Sequence, residues 1–574
     1  MIWPVSTSLA ALLALLFGLV SWLGCAGDGT DVPQADHHAD GHAHIQVPRR
    51  VVPDGAGAPL FNDLGDFHRS ISTRSELAQR YFDQGLILAY GFNHAEAHRA
   101  FVEASAQDPG CAICAWGEAY VLGPNINKRM DDADVPAAYD ASRRALAKAD
   151  EASPVEQALI RALAERYVAE PVADRTALDL AYANAMRGVA AGYPGDPDVQ
   201  TLFAEALMDT MPWDYYEDPD TPKAATREVM IALEGVIAAN PDHAGALHLY
   251  IHTVEPSGQP ERAEAAADRL GPLSPGAGHL VHMPSHIYLR VGRYYDASVA
   301  NENAASADES YISQCRAQGF YPAAYYPHNV HFLYASSGFE GRSAASIGAA
   351  RKLAEGITPE LVAEVPITEE FAPMELYALA RFGRWDALEN APAPRAEWRY
   401  ATGAWHYGRG LAFAATGDLA QAEVELAALR AVAAESALSE LVFASGSTPA
   451  ALLSIGGNVL EARIAGASGR WATAIEVLKK AVALQDELPY TEPPPWYFPA
   501  REALGIALLK AGRPADAEFV FREQLDYTPR NGWSLRGLVS SLRDQGKTEA
   551  AREAAIQLEE VWQRADVTPP AAVF

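Results

Sequence analysis

The sequence predicts an all-α fold assembled from helical hairpins stacked along one axis, and three observations carry that expectation. At 574 residues the chain exceeds what one compact core accommodates, so it divides into domains or grows as a repeat array. Alanine-rich stretches such as AAYDASRRALAKA, with few runs of Val, Ile or Thr, favour closely packed helices and leave little or no strand. From about residue 62 onward, glycine and alanine punctuation recurs with a period of about 34 residues, the length of one helix pair.

Taken in order, residues 1–24 form an apolar stretch ending in small residues, which reads as an export signal peptide. Its end, WLGC, resembles the cleavage box of bacterial lipoproteins. That resemblance implies cleavage before Cys25, lipidation of its thiol and a membrane anchor through the lipid; Ala26 in place of Asp implies an outer-membrane lipoprotein facing the periplasm. Residues 25–61 are rich in Gly, Asp, His and Pro without apolar periodicity, so they are expected to be a flexible tether. Its His37, His38, His42 and His44 could hold a divalent ion weakly, since ordering a tether costs entropy. In PGCAICAWG, Cys111 and Cys114 stand three apart at a helix start, which suits a local disulfide or redox pair, a soft-metal pair, or two small buried residues. Ala115 follows the second cysteine where covalent haem needs His, so haem c is excluded.

The repeat can be checked position by position. One unit has Gly85, Ala97, Phe101, Ala104 and Pro109; another has Gly505, Gly512, Ala517, Phe521 and Pro529 at equivalent places. Gly410, Gly417 and Ala422, then Gly469 and Ala474, then Gly546 and Ala551 mark further units. The pattern resembles that of the tetratricopeptide repeat (TPR) family, which implies a right-handed superhelix whose first helices line a concave groove. The expected organisation is an N-terminal array over 62–357, an irregular proline-rich joint over 358–398, a C-terminal array over 399–565 and a tail from 566 to 574. The insertions GPNINKRMDDADVP and MPWDYYEDPDTP interrupt the period.

Net charge is −29, from 45 basic and 74 acidic residues, which opposes a nucleic-acid footprint. HExxH, Walker, GxGxxG, GxSxG and SxxK motifs are absent, so nucleotide and hydrolase readings have no support. What stands out is histidine between His243 and Leu333. With Gly258 and Gly292 taken as equivalent turn residues, His248 and His282 share one repeat position and His252 and His286 another. At about 100° per residue, His248, His252 and Glu255 lie on one helix face, and His279, His282 and His286 on the next. His328 and His331 follow at i and i+3, where one of the two can face inward. The TPR resemblance implies that the first two faces line the groove.

Clustered imidazoles would repel one another if protonated, and a transition metal removes that conflict. The expected cofactor is one or two divalent ions of Cu, Zn or Fe, held by His248, His252, His279, His282, His286, one or both of His328 and His331, and Glu255 as ligand or as a proton acceptor. The role would be metal handling or metal-dependent chemistry. The alternatives are an interaction scaffold whose groove grips an envelope protein or peptide, and histidines that are merely structural. His94 and His98 are expected on a solvated face, and His406 at a packing position.

Overall fold

The computed structural model describes Pro53, residues 56–315 and residues 321–567. Cys25 and the tether histidines lie outside the described residues. Among those described, helices form nearly all the regular structure, and the strands are one short antiparallel ribbon of β1 (Tyr216–Asp218) and β2 (Thr221–Pro222). The described residues fall into two compact units: one holds those from 53 to 287 together with those from 300 to 329, the other those from 288 to 299 together with those from 330 to 567.

The first unit opens with α1 (Glu76–Tyr90), α2 (His94–Gln107), α3 (Ala112–Leu122) and α4 (Val135–Lys148). It continues through α5 (Pro154–Ala164), α6 (Thr176–Gly192), α7 (Pro197–Met208), α8 (Ala224–Ala239), α9 (Ala244–Val254), α10 (Glu264–Leu270) and α11 (Gly278–His282). The side chains of Ser75 and Asp196 accept the first free amides of α1 and α7, from Ala78 at 3.2 Å and Val199 at 3.0 Å. The helix contacts explain the repeat glycines. A Cβ on Gly85 or Gly117 would come within 2.7 or 2.3 Å of the Phe101 ring, so Phe101 of α2 is clasped between α1 and α3 only because both neighbours lack a side chain.

The insertions are folded. GPNINKRMDDADVP makes an Asn125–Lys128 bridge and a short turn of helix before α4. MPWDYYEDPDTP makes the β1–β2 ribbon, on which Gly258 docks with its amide 2.8 Å from the Pro219 carbonyl. Gly258 and Gly292 are therefore not equivalent turns. Gly292 takes φ +79°, whereas a side chain on Gly258 would collide with Asp220 at 2.3 Å, so close approach, not backbone hand, explains that glycine.

The helix that carries His282 and His286 is also not continuous. Pro284 has no amide to donate, so α11 ends at His282, α12 (Pro284–Val291) begins anew, and the His286 amide bonds to Met283 O at 3.2 Å. Beyond come α13 (Tyr294–Cys315), a π-helical turn over Tyr321–Tyr325, and α14 (Tyr326–Phe339).

The second unit contains α15 (Ser343–Glu355) and then three short helices, α16 (Pro359–Glu364), α17 (Met374–Arg381) and α18 (Trp385–Glu389), within the stretch expected as a joint. The division between units falls at Ile287 and Asn329 instead, and 358–398 lies wholly inside the second. Its regular hairpins pair α19 (Arg399–Thr416) with α20 (Leu419–Ala433) and, after α21 (Ser436–Glu440), α22 (Pro449–Ala467) with α23 (Trp471–Asp486). The last two pair α24 (Ala500–Lys510) with α25 (Pro514–Tyr527) and α26 (Gly532–Asp544) with α27 (Thr548–Val561). Phe521 is clasped by Gly505 and Gly537 as Phe101 is by Gly85 and Gly117. Asp566, expected as the start of the tail, accepts the amides of Ser343 at 2.7 Å and Ala344 at 2.8 Å and so caps α15. The architecture is an all-α, TPR-like array of helical hairpins.

Candidate metal centre

Six histidine rings converge within the first unit, in two groups of three. The first is His248 and His252 of α9 with His279 of α11, whose ligand-capable nitrogens all lie within 4.8 Å of one another. The second is His282 of α11, His286 of α12 and His328 of α14, with the same closeness. The spacing on α9 puts the His248 and His252 ring centroids 4.8 Å apart, and His279 stands 4.9 Å from His248. The break at Pro284 does not separate His282 from His286, whose Nε2 atoms are 3.0 Å apart. The groups adjoin: His252 lies 5.7 Å from His286, and His279 lies 5.9 Å from His282.

Hydrogen bonds set which nitrogen each ring can offer. His248 Nδ1 donates to the Tyr90 carbonyl at 2.5 Å, and His282 Nδ1 to Asn301 Oδ1 at 2.6 Å. Glu255 serves both groups, with Oε1 3.4 Å from His252 Nδ1 and Oε2 2.8 Å from His286 Nδ1. Carbonyl and carboxylate oxygens only accept, so Nδ1 carries the proton in His248 and His252 and Nε2 keeps its lone pair, while the His282 and His286 Nε2 atoms share one proton between them. The Nε2 atoms of His248 and His252 and both ring nitrogens of His279 are buried without a hydrogen-bond partner. Such atoms ordinarily cost folding free energy, on the order of 1–3 kcal/mol each.

The electrostatics agree. Burial, then the neighbouring rings, hold His248, His279 and His282 well below the ordinary imidazole value, and burial outweighs Glu255 in lowering His252. Burial pushes Glu255 up, but the facing His286 and His252 outweigh it and bring its pKa to about 2. His248, His252, His279 and His282 are thus held neutral, with the Glu255 carboxylate beside them.

The wall is aromatic. The Phe92 ring lies 4.6 Å from His248 and 5.4 Å from His279, Trp213 stands edge-on to His252 at 5.1 Å, and Tyr325 packs 4.5 Å from His279. Both insertions and the π-helical turn meet here, because Asn127 accepts from Trp213 Nε1 at 3.1 Å and donates to the Tyr325 hydroxyl at 3.2 Å. The GPNINKRMDDADVP loop therefore reaches the aromatic rings that pack on the histidines. Phe92 and Trp213 adopt left-handed φ values of 55° and 61°, costly for bulky residues and a conformation that concentrates at functional sites. Five of the six histidines are 0–4 % exposed and His328 is half-buried, so the rings line an enclosed chamber rather than the open groove that the repeat positions imply.

Other expected site residues fall differently. His331 is not part of either group: its ring stacks on Tyr334 at 6.0 Å and meets Phe371 edge-on at 5.4 Å, and burial lowers its pKa to about 4. Three residues after His328, it sits roughly 300° around the helix, which is enough to turn it to apolar neighbours. Glu255 stands behind the ligand nitrogens as their acceptor. Cys111 and Cys114 form a disulfide, which removes the soft-metal pair. His94 is half-buried beside Asn125, 3.4 Å away, and Phe92 instead of solvated; burial lowers it to about 3. His406 bonds Glu425 at 2.6 Å. Tyr90, Phe92, Trp213, Asn301 and Tyr325 carried no local signal, since each reaches the site from another repeat or an insertion.

No protein-family model matches the sequence, and no curated protein is significantly similar to it. Among solved structures it resembles the human IFIT1 dimer with m7Gppp-AAAA, at 12 % identity and TM-score 0.28, covering 87 % of this chain and 92 % of that one. It also resembles the APC/C hetero-tetramer Cut9–Hcn1, at 13 % identity and TM-score 0.27, covering 87 % and 79 %. Likeness at this level carries nothing about function. Among the described residues, no helix is long and apolar enough to cross a membrane.

Proposed function

We propose that the chamber binds transition-metal ions, one in each three-histidine group, and that the protein handles such metal or uses it in chemistry. The observation that carries this is the set of unpartnered Nε2 atoms on His248, His252 and His279, which a metal satisfies together. Tyr90, Asn301 and Glu255 supply the Nδ1 acceptors that orient ligating imidazoles in metal sites. A bound ion with three imidazoles retains an open position for water or a small ligand, which is what metal-dependent chemistry needs. The reading also keeps the chain exported and anchored through Cys25, a placement the sequence suggests and to which the Cys111–Cys114 disulfide is suited.

The test is elemental analysis of untagged protein with His37, His38, His42 and His44 replaced by Ala. Two metal ions per chain, falling to none in a His248→Ala, His282→Ala double variant of unchanged helicity, supports the reading. No metal, even after reconstitution, overturns it.

A second reading, an interaction scaffold, has its own observation in the second unit. Tyr407, Arg463, Ile506 and Arg536, from the first helices of successive hairpins, line one cavity that suits a peptide side chain.

A further inference from the structure

We infer that the two three-histidine groups act as one pair of copper(I) sites that takes up dioxygen between the metals, an inference resting on the metal-binding reading above. The first argument is charge. Coordinated imidazoles are neutral, so the charge of bound ions must be offset by carboxylates beside the rings, of which Glu255 reaches a ring in each group. Two divalent ions would bring four positive charges into a chamber where the first three histidines are 0–1 % exposed. Two copper(I) ions halve that charge, and the penalty for uncompensated buried charge rises steeply with charge.

The second argument is the donor set. Each group offers three imidazoles, with neither thiolate nor carboxylate among the nitrogens gathered. Copper is well served by imidazole, and copper(I), with a filled d shell, tolerates three-coordination and leaves a face open. The third is coupling. The two groups abut at His252–His286 and His279–His282, and one carboxylate orients a ligand in each, through His252 Nδ1 and His286 Nδ1. A change at one metal is therefore felt in the second shell of the other.

The chamber also selects the ligand. Phe92, Trp213 and Tyr325 pack against the rings, an apolar surround that favours a small neutral ligand over a charged one. The step balances. Each copper(I) gives up one electron and becomes copper(II); dioxygen takes both and becomes bound peroxide, keeping its oxygen–oxygen σ bond; no proton moves and no group leaves. His328, the half-buried ligand, marks the side from which ions and gas reach the pair.

The experiment loads the full chain, with the tether histidines replaced by Ala, anaerobically with two equivalents of copper(I), then admits oxygenated buffer. Expected are uptake of one dioxygen per two coppers, a near-ultraviolet charge-transfer band, and no electron paramagnetic resonance signal, because the two copper(II) spins couple. A His328→Gln chain should load one copper and show none of these. If two coppers load but dioxygen is not consumed, or isolated copper(II) signals appear, the dioxygen inference fails and the metal reading stands. If no copper or other transition metal loads, both fail.

Discussion

Both ring nitrogens of His279 are buried without a partner, so in the metal-free chain this side chain destabilises the fold it sits in. Replacing it with Leu removes that cost, and the metal-free His279→Leu variant is expected to be as stable as the parent or up to about 1 kcal/mol more stable in urea unfolding. The same variant should bind one ion fewer and lose the stabilisation that ion gives. A loss of stability without metal would mean that the ring has a packing role after all. Asp198 is a different kind of buried group. It accepts from Arg69 at 2.8 Å, from the Tyr90 hydroxyl at 2.8 Å and from His243 at 3.1 Å, and so fixes the strand of backbone whose carbonyl orients His248. Burial pushes its carboxyl up, but His243 and Arg69 outweigh that and hold it at about 2. A folded value below the ordinary carboxylate value of about 3.9 means the stabilisation, of order 2 kcal/mol, is complete above pH 4 and disappears as the pH falls through about 2. The gap in urea stability between parent and Asp198→Asn should therefore be widest at pH 5, at about 2 kcal/mol or more, and should narrow steadily as the pH falls from 4 toward 2.

At the scale of the helix pair, the glycines make the frame testable. Gly85→Ala forces a Cβ to 2.7 Å from Phe101 and should cost about 1–3 kcal/mol, whereas Gly188→Ala on α6 meets no atom within 4 Å and should gain about 0.5–1 kcal/mol. Thermal melts of the two variants separate packing from propensity. Those same glycines are why the hairpins were legible in the sequence: the clasp of Phe101 and of Phe521 is a repeated, local requirement, and it prints as Gly and Phe at fixed spacing. The histidine faces were legible for the same reason, since His248/His252 and His282/His286 each sit on short-range helical geometry. What escaped was set by contacts between distant segments. Nothing near Phe92 or Trp213 announces that its ring closes on His248 or His252. Gly258 looked like a turn because its partner, Asp220, comes from an insertion. The open-groove expectation failed because the Asn127 loop, the Trp213 ribbon and the Tyr325 turn come together over the rings, and each of these breaks the repeat.

For the molecule as a whole, an array of hairpins divided into two compact units should not unfold as one cooperative block. Calorimetry is expected to resolve at least two transitions. All six clustered histidines belong to the first unit, so added metal should raise the transition of that unit and leave the other in place, by the free energy of binding to the folded state. A uniform shift of every transition would contradict the assignment. An anomalous-difference map from crystals of the copper-loaded protein should show two peaks in the first unit, one about 2 Å from nitrogens of His248, His252 and His279 and one equally close to His282, His286 and His328. Peaks confined to carboxylates elsewhere, or a chamber with no peak at full copper occupancy of the solution, would contradict it.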